Sequence, residues 1–414
     1  MSEMSEKIVL KIIKNEGLLS HTMIPEKLLH REAQIQAIKS RLEGFPENMA
    51  NFLLTITGDV GQGKTAAMNN IEKGLRKKSQ KGLAIHVPVK ESEDPYTLLR
   101  DISRACGFTS GPEKLPDRGI SYSEGWLKFS TALGDTPLVV VLDDFDLGMM
   151  NVERSIEPLI RDLASRPHTG IICISNNLAV IDLIKDDRIH SRISNIHSID
   201  FPNYTPAQLV DILKERVDMG AVYVSNITPG ALELCAALAV TGRRGDARYA
   251  LAILLQAAKL AEQENTRLTR NHIERASTEF EQQLLENTIR KMPTVQKFML
   301  YTVATKGSCA LGEMYRETEQ LMDRVGEVWT RSPRRRSEHI SNLEARGFVQ
   351  VVSQGRGRGG GVGWTASLTK TYDINRSLLV SVIKKVILKE SGKYEEPGIG
   401  EPPKSVENLL RIPP

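Results

Sequence analysis

Short runs of apolar residues alternate with helical patterns over the first half of the chain. The runs are continuous and rich in β-branched residues, which is typical of strands buried on both faces of a parallel sheet. The predicted strands are residues 51–57, 83–89, 138–142, 169–175 and 196–201. Strands that alternate with helices in this way predict an α/β domain with a parallel sheet.

Beyond residue 203 the pattern changes to helices alone. Two helix starts carry a cap residue followed by proline, at Thr205-Pro206 and Thr228-Pro229. This change predicts a separate helical subdomain over residues 204–290. Ahead of the first strand, residues 1–24 are predicted to form a helical arm, and residues 26–42 a further helix.

Residues 291–390 form a third predicted unit. It contains three helical patterns, 294–305, 311–328 and 333–346, then a strand at 348–353, a glycine-rich turn and a second strand. Three helices followed by a β-hairpin describe a winged helix-turn-helix. The remaining residues, 391–414, are rich in Pro, Gly and Glu and are predicted to be a poorly packed tail.

Composition narrows the class of protein. The chain has 414 residues, enough for two or three domains. No apolar run approaches the roughly 20 residues that span a bilayer, and the first residues lack the apolar segment of a signal peptide. A cytoplasmic protein is therefore expected, with no membrane partner. The four cysteines lie far apart without a CxxC pair, so reduced core thiols are expected rather than a metal site.

The segment GDVGQGKT, residues 58–65, follows the first predicted strand and precedes a helix. Its glycines allow backbone N–H groups to turn inward around a polyphosphate at the helix N-terminus. Lys64 is expected to reach the β and γ phosphates, and the Thr65 hydroxyl to hold Mg²⁺. The segment therefore predicts a nucleotide site, with ATP or ADP and Mg²⁺ as cofactors. The predicted contacts are Val60, Gly61, Gln62, Gly63, Lys64, Thr65 and Ala66.

The strand 138–142 ends in Asp143-Asp144. In P-loop proteins an acid at such a strand end holds the Mg²⁺ of the nucleotide, so Asp143 joins Thr65 as a predicted metal ligand. Asp144 is placed to orient or deprotonate the attacking water. Because Asp is one methylene shorter than Glu, slow hydrolysis is expected. The alternative is that the two acids occupy an ordinary turn.

Two further positions point to the phosphates. The strand 169–175 is followed by Asn176, which can place an amide near the γ-phosphate, although Ser-Asn is also a common turn. The segment GRRGDAR, residues 242–248, precedes a long apolar helix. An arginine there can bind the γ-phosphate in a bidentate manner, or it can be a solvated charge.

The order of these parts resembles the AAA+ class. The resemblance is carried by Leu29-His30-Arg31-Glu32, GDVGQGKT, VVVLDDFD, ISNN, DDRIHSRIS, FPNYTPAQLVDILKER and GDARYAL. Together with the terminal winged helix, over roughly residues 25–370, it is similar to the archaeal origin-recognition and cell-division-control replication initiators. The resemblance implies a AAA+ P-loop NTPase base at 25–203, an all-α lid at 204–290 and a C-terminal winged helix-turn-helix.

The resemblance also implies roles for single residues. His30 and Arg31 fall in the segment beside adenine. Asn176 matches sensor 1 and Arg248 matches sensor 2, both in the catalytic group with Asp143 and Asp144. The lid positions that close over the nucleotide are Tyr204 and Arg216.

Two other implied roles concern neighbouring molecules. Arg188 resembles the arginine that reaches a neighbouring subunit's nucleotide. Residues 90–137 resemble the initiator-specific insert that touches DNA, with Arg118 at its loop. The family's usual Asp-Glu pair is Asp-Asp here, which again points to slow turnover.

Positive charge is concentrated in the last unit. Between residues 331 and 358 there are seven arginines and two glutamates, a net charge of +5, whereas the whole chain carries +4. In a winged helix the second helix of the turn enters the major groove, and a basic hairpin tip suits the minor groove or phosphate. A solvated helix face is the alternative. The predicted DNA contacts here are Arg334, Arg335, Arg336, Ser337, Arg356 and Arg358.

These observations predict an ATP-dependent DNA replication initiator. It is expected to bind double-stranded origin DNA and to recruit or load a replicative helicase of the minichromosome maintenance type, with ATP and ADP as a conformational switch. Other initiator paralogues are further expected partners, and the expected location is the nucleoid. Two alternatives stay open: a P-loop winged-helix transcription regulator, and a motor or clamp-loader-like ATPase that needs fast turnover and a ring.

Overall fold

The structure of the protein is a computed structural model in which the chain forms two compact units, Met1–Ala276 and Ser277–Pro414. The residues that the structure describes are 10–20, 22–47, 49–78, 82–90, 94–149, 155–178, 184, 186, 189, 196–329, 332–354, 363–370 and 375–390. Within them, no helix combines the length and the apolar composition that crossing a bilayer requires.

A parallel sheet of five described strands forms the centre of the first unit, in the order β2-β3-β4-β1-β5. All five predicted strands are confirmed. Every residue of β1, β3 and β4 is buried, and alternate residues of β3 enter separate hydrophobic cores, Val140 on one side and Val141 on the other. The strands are β1 (Phe52–Thr57), β2 (Leu83–Pro88), β3 (Leu138–Asp143), β4 (Thr169–Ile174) and β5 (Ile196–Asp200).

Helices cover both faces of this sheet and then continue as a helical lid. The helices of the first unit are α1 (Glu32–Arg41), α2 (Lys64–Lys78), α3 (Pro95–Ala105), α4 (Tyr122–Leu133), α5 (Phe145–Met149), α6 (Glu157–Ser165), α7 (Pro206–Asp218), α8 (Ala231–Arg243) and α9 (Ala247–Gln263). Helix α10 (Arg270–Arg290) contains the division between the units. Because β1, β3 and β4 are parallel neighbours, their carboxyl ends lie at one edge of the sheet.

One predicted helix start is confirmed and the other is wrong. Thr205 caps α7 in a capping box with Gln208, with Pro206 in the first turn. Helix α8 instead begins at Ala231, with Gly230 in the left-handed conformation before it. Thr228 lies before this start, and its N–H and hydroxyl both donate to the carbonyl of Leu268 (2.9 Å each).

The helical arm predicted over residues 1–24 is wrong for the described part of that segment. There, helix is limited to one 3-10 turn, Glu16–Leu19. Ile13 forms a β-bridge with Val222, and the N–H groups of Ile12 and Ile13 donate to the Glu262 carboxylate at 2.7 Å. These peptide groups bond to the lid rather than to one another, which excludes a helix.

The second unit has the elements of a winged helix-turn-helix. Its strands form an antiparallel sheet in the order β6-β8-β7. The pattern analysis did not predict β6 or the last helix, α14, which packs on α11 and buries Leu379 and Ile383. The elements are α11 (Thr294–Lys306), β6 (Ser308–Ala310), α12 (Leu311–Val325), α13 (Pro333–Ala345), β7 (Val349–Gln354), β8 (Gly363–Leu368) and α14 (Arg376–Glu390).

Candidate nucleotide site and nucleic-acid interface

A polar cavity of about 270 Å³ lies at the carboxyl edge of the sheet. It is bordered by the loop after β1, the ends of β3 and β4, and the first turn of α9. Every lining residue is a predicted nucleotide or catalytic residue, so the fold brings together positions that are almost 200 residues apart in the chain. The lining residues are Val60, Gly61, Gln62, Gly63, Lys64, Thr65, Asp143, Asp144, Asn176 and Arg248.

The glycine-rich loop packs directly against the lid. Gly61 has φ 77°, and a Cβ on it would lie 1.8 Å from the carboxylate of Asp246, the residue that caps α9. A Cβ on Gly58 would lie 2.4 Å from the carbonyl oxygen of Phe201. Gly61 therefore allows the turn and the contact with Asp246, and Gly58 allows the close approach of Phe201, which follows β5.

Lys64 supplies a buried positive charge to the cavity. Its ammonium donates hydrogen bonds to the carbonyls of Gly58 (2.6 Å) and Asp59 (2.8 Å) and to the Asn176 side chain (2.9 Å). The side chain is 6% exposed, and burial lowers the pKa of Lys64. A desolvated cation favours an anion beside it, which suits a phosphate group.

Asp143 lies at the end of β3 opposite Thr65. It accepts hydrogen bonds from the Thr65 hydroxyl (3.3 Å), the Asp144 N–H (3.1 Å) and the His86 Nε2 (3.2 Å). Burial acts to raise the pKa of Asp143. The hydrogen bonds outweigh burial, the bond from His86 most of all, so the pKa of Asp143 is lowered. The carboxylate therefore stays ionised, as a metal ligand requires.

His86 belongs to this site, although the pattern analysis did not single it out. Its ring lies between Asp143 and Glu72, with Nδ1 3.4 Å from the Glu72 carboxylate. Burial opposes the charged ring, but the hydrogen bonds to both acids outweigh it and raise the pKa of His86 to about 9. The sequence feature that could have indicated His86 is a titratable residue near the carboxyl end of the apolar strand β2.

Asp146 is a second residue of the site that the sequence pattern does not indicate. It is buried and accepts hydrogen bonds from the Ser175 hydroxyl (2.8 Å) and the Asn176 N–H (3.4 Å). It thereby ties the end of β3 to the end of β4 and positions the Asn176 amide beside Lys64. Asp144, between the two, has φ 55°, and burial and then the neighbouring Asp143 and Asp146 raise its pKa.

An apolar cavity of about 80 Å³ adjoins the polar one and shares Gly61, Gly63 and Arg248 with it. Its mostly apolar lining suits a nucleobase next to the phosphates. Tyr204 and Arg216 line it, as predicted, whereas Met23 and the pair Leu28-Leu29 were not predicted. The lining residues are Met23, Pro25, Leu28, Leu29, Gly61, Gly63, Tyr204, Ile212, Glu215, Arg216, Ala247, Arg248 and Leu251.

The Arg216 side chain is almost fully buried at this cavity. One terminal nitrogen donates to the Met23 carbonyl (3.4 Å) and the other contacts the Met23 sulfur, while Nε has no partner among the described residues. Burial lowers the pKa of Arg216. The side chain thus offers an unused donor beside the apolar cavity.

His30 and Arg31 do not line either cavity. His30 pairs with Asp211 of the lid (2.9 Å). The Arg31 side chain is buried beneath the glycine-rich loop and bonds to main-chain carbonyls. Leu28 and Leu29, which precede them, line the apolar cavity, whereas the side chains of His30 and Arg31 bond to the lid and to the loop.

The predicted DNA residues separate into two groups on α13. Arg334, Arg335 and Ser337 are exposed, and Arg334 forms a surface ion pair with Glu338 (3.0 Å). The guanidinium of Arg336, in contrast, is half-buried, 5.1 Å from the centre of the Trp329 ring and 5.7 Å from that of Tyr315. The structure therefore leaves Arg334 and Arg335 exposed, while Arg336 holds α13 to the preceding helix and turn.

Arg118 is exposed on the loop between α3 and α4. The nearby Arg100 and Arg104 are paired with Asp117, at 3.2 and 2.7 Å. Three predicted residues, Arg188, Arg356 and Arg358, lie outside the described residues.

Known proteins resemble this chain over most of its length. A family model described as the Cdc6 AAA+ ATPase-type lid domain matches residues 210–278. The ORC1-type DNA replication protein 1 of Archaeoglobus fulgidus is 32% identical over 366 residues, 83% of this chain and 86% of that protein. An ORC1-type DNA replication protein of Methanothermobacter thermautotrophicus is 28% identical over 379 residues, 91% and 98%.

A solved structure shows the same likeness in three dimensions. The structure of the Aeropyrum pernix ORC1 protein in complex with DNA matches with a TM-score of 0.74 and 26% identity, covering 91% of this chain and 97% of that one.

Proposed function

The chain belongs to the family of ORC1-type DNA replication proteins, and from that premise we propose that it is a DNA-binding replication initiator controlled by bound nucleotide. The observation that carries the proposal is the polar cavity, where the glycine-rich loop, the acids after β3, Asn176 and the lid residue Arg248 meet. Binding of adenine nucleotide is the function that this arrangement supports best.

The residues at the cavity fit a nucleotide with Mg²⁺. The Thr65 hydroxyl and the Asp143 carboxylate face each other at 3.3 Å and supply oxygen ligands, the type that Mg²⁺ prefers. When bound, Mg²⁺ neutralises charge on the phosphates. Lys64 and the N–H groups at the start of α2 bind the phosphates themselves, and the apolar cavity accepts the base.

The lid gives the nucleotide a way to change conformation. Arg248 is in the first turn of α9, a lid helix, yet it lines the phosphate cavity. A γ-phosphate offers Arg248 a charged partner that ADP lacks, so ATP and ADP favour different lid positions. Asp144 is proposed to orient the attacking water. Its short side chain makes hydrolysis slow, which suits a switch rather than a motor.

DNA binding is assigned to the second unit and to the insert. The exposed Arg334, Arg335 and Ser337 are proposed to enter the major groove and Arg118 to contact phosphate. On the basis of sequence, Arg356 and Arg358 belong to the wing tip and Arg188 to a contact with a neighbouring initiator. The proposed target is double-stranded origin DNA at the nucleoid, where the protein recruits or loads a helicase of the minichromosome maintenance type.

Footprinting of the whole protein on origin fragments and on promoter fragments tests this proposal. We expect protection of a short motif in origin DNA, and an affinity that falls with salt at a log-log slope of about 0.9 per neutralised phosphate. Protection confined to promoters would support a transcription regulator instead. Rapid ATP turnover by a closed ring would support the motor alternative.

A further inference from the structure

We propose that Gln62 is a positioning residue that couples the phosphate-binding loop to the lid, with Arg31 as its support. The inference rests on the nucleotide switch proposed above and assigns the coupling to particular side chains. Gln62 stands at a variable position of the loop pattern, directly before Gly63, which the pattern requires. Its side chain is fully buried, with 0% of its surface exposed.

The Gln62 amide bonds to two separate parts of the lid. Its oxygen accepts a hydrogen bond from the Tyr204 N–H (2.9 Å), at the entry to the lid. Its nitrogen donates to the Arg244 carbonyl (3.2 Å), in the turn between α8 and α9, and to the Val60 carbonyl (3.4 Å) of its own loop. A single side chain thus bridges the loop, the start of the lid and the turn that leads to Arg248.

Arg31 holds the main chain of the same residue. Its Nε donates to the Gln62 carbonyl (2.9 Å), and a terminal nitrogen donates to the Pro202 carbonyl (2.6 Å). The guanidinium also lies 3.7 Å from the centre of the Tyr204 ring. The loop carbonyl, the end of the base and the first lid residue are therefore held by one buried cation, which has 2% of its surface exposed.

Because Gln62 lies within the phosphate-binding loop, its hydrogen bonds couple bound phosphate to the lid and do more than pack the two segments together. Residues 60–65 line the phosphate cavity, so bound phosphates fix the peptide groups on either side of Gln62. The side chain of that residue carries the restraint to the lid, through one donor and one acceptor. An apolar replacement leaves the Tyr204 N–H and the Arg244 carbonyl without these partners, and buried groups without partners are costly.

Hydrogen exchange on the whole protein, bound to ADP or to a non-hydrolysable ATP analogue, tests the coupling. The variants are Gln62→Leu, which has neither amide group, and Gln62→Glu, which keeps the acceptor and loses the donor. The matched control is Gln36→Leu, at an exposed position on α1. Nucleotide affinity and melting temperature are measured for each variant.

For the parent protein we expect lid amides in 204–216 and 244–250 to differ in protection between the two nucleotides by about tenfold, within the usual range of coupling between sites. With each nucleotide at a saturating concentration, Gln62→Leu should lose most of this difference in lid protection, because the loop–lid bonds are gone. Gln62→Glu should fall between them, and Gln36→Leu should match the parent.

Two results would overturn the inference and differ from each other. If Gln62→Leu and Gln62→Glu keep the full difference, Gln62 only packs and the switch works through other residues. If the parent itself shows no difference between the two nucleotides, the proposed switch is wrong, and the coupling fails with it. Should Gln62→Leu fail to fold, Gln62→Glu alone gives the decisive comparison.

Discussion

The nucleotide cavity and the helix α13 both collect positive charge, but in opposite environments. Lys64 is 6% exposed and donates to three oxygens that the fold holds in place. The Arg334 side chain is 90% exposed and forms a surface ion pair with Glu338. A buried cation needs partners of fixed geometry, whereas exposed cations attract any polyanion in a salt-dependent way. The proposed nucleotide site would therefore be selective through fixed hydrogen-bond geometry, whereas the proposed DNA-binding helix would need base contacts for selectivity.

Removal of the buried cation should have the largest effect. Lys64→Ala is expected to weaken nucleotide binding by about 100-fold or more, because hydrogen bonds from a charged donor contribute about 1.5–3 kcal/mol each. DNA affinity should stay within about threefold of the parent, since the proposed function assigns the phosphate contacts to the exposed arginines of α13 and not to Lys64. Titration with a fluorescent nucleotide and with labelled duplex measures both.

Lys73→Ala is the matched control for Lys64→Ala. It removes an exposed lysine from the same helix, α2, and should leave both affinities unchanged. If Lys64→Ala lost both nucleotide binding and DNA binding completely, the proposed assignment of these two functions to separate regions would be contradicted.

The arginines of α13 sharpen the comparison with a smaller effect. Arg335→Ala should lower the slope of log affinity for DNA against log salt by about 0.9, the value for one phosphate contact. Arg336→Ala should leave that slope unchanged and destabilise the second unit by about 1 kcal/mol, because contact with two aromatic rings is lost. Salt titrations and thermal unfolding separate the two outcomes. Equal slopes for both variants would mean that Arg336 also contacts DNA.

The last expected effect is a pH dependence of the first unit. In the protein free of metal and nucleotide, the pKa of His86 is raised from 6.5 to about 9. A group whose folded pKa is raised stabilises the fold fully below its unfolded pKa and loses that contribution as pH rises through the folded pKa. Protection of the β2 and β3 amides from hydrogen exchange should therefore fall between pH 6.5 and 9, by at most about 3 kcal/mol.

His86→Gln removes the titrating group and should abolish most of this decline. The arginines of α13 do not titrate in that range, and burial lowers the pKa of His339 on the same helix below 6.5, so its amides give an internal reference. An unchanged decline in His86→Gln would show that another group is responsible.

Elements whose signal is local were predictable. The strands β1, β3 and β4 are continuous apolar runs because both of their faces are buried, and that burial leaves a mark on every residue. The loop GDVGQGKT and the acids after β3 could also be placed from sequence. Each follows a buried parallel strand, and the carboxyl ends of parallel strands meet at one edge of the sheet. The polar cavity is accordingly lined by predicted residues alone.

Elements held by distant partners were not predictable. The arm around Ile13 is extended because its N–H groups bond to Glu262, about 250 positions away in the chain. The strand β6 has only three residues and pairs with β8, so its own pattern carries little information. His86 and Asp146 joined the site through hydrogen bonds to other strands, and no spacing along the chain encodes those bonds.

The sequence by itself determined the parallel sheet, the glycine-rich loop, the acids after β3 and the basic helix, because each depends on residue type within a few positions. Only the tertiary structure decided what those residues contact. It turned the Gln62 amide and Arg31 toward the lid, set Arg336 against Trp329 and left Arg335 exposed. The physical reason is that hydrophobic periodicity records burial, whereas the partner of a buried polar group depends on which distant segment the fold places beside it.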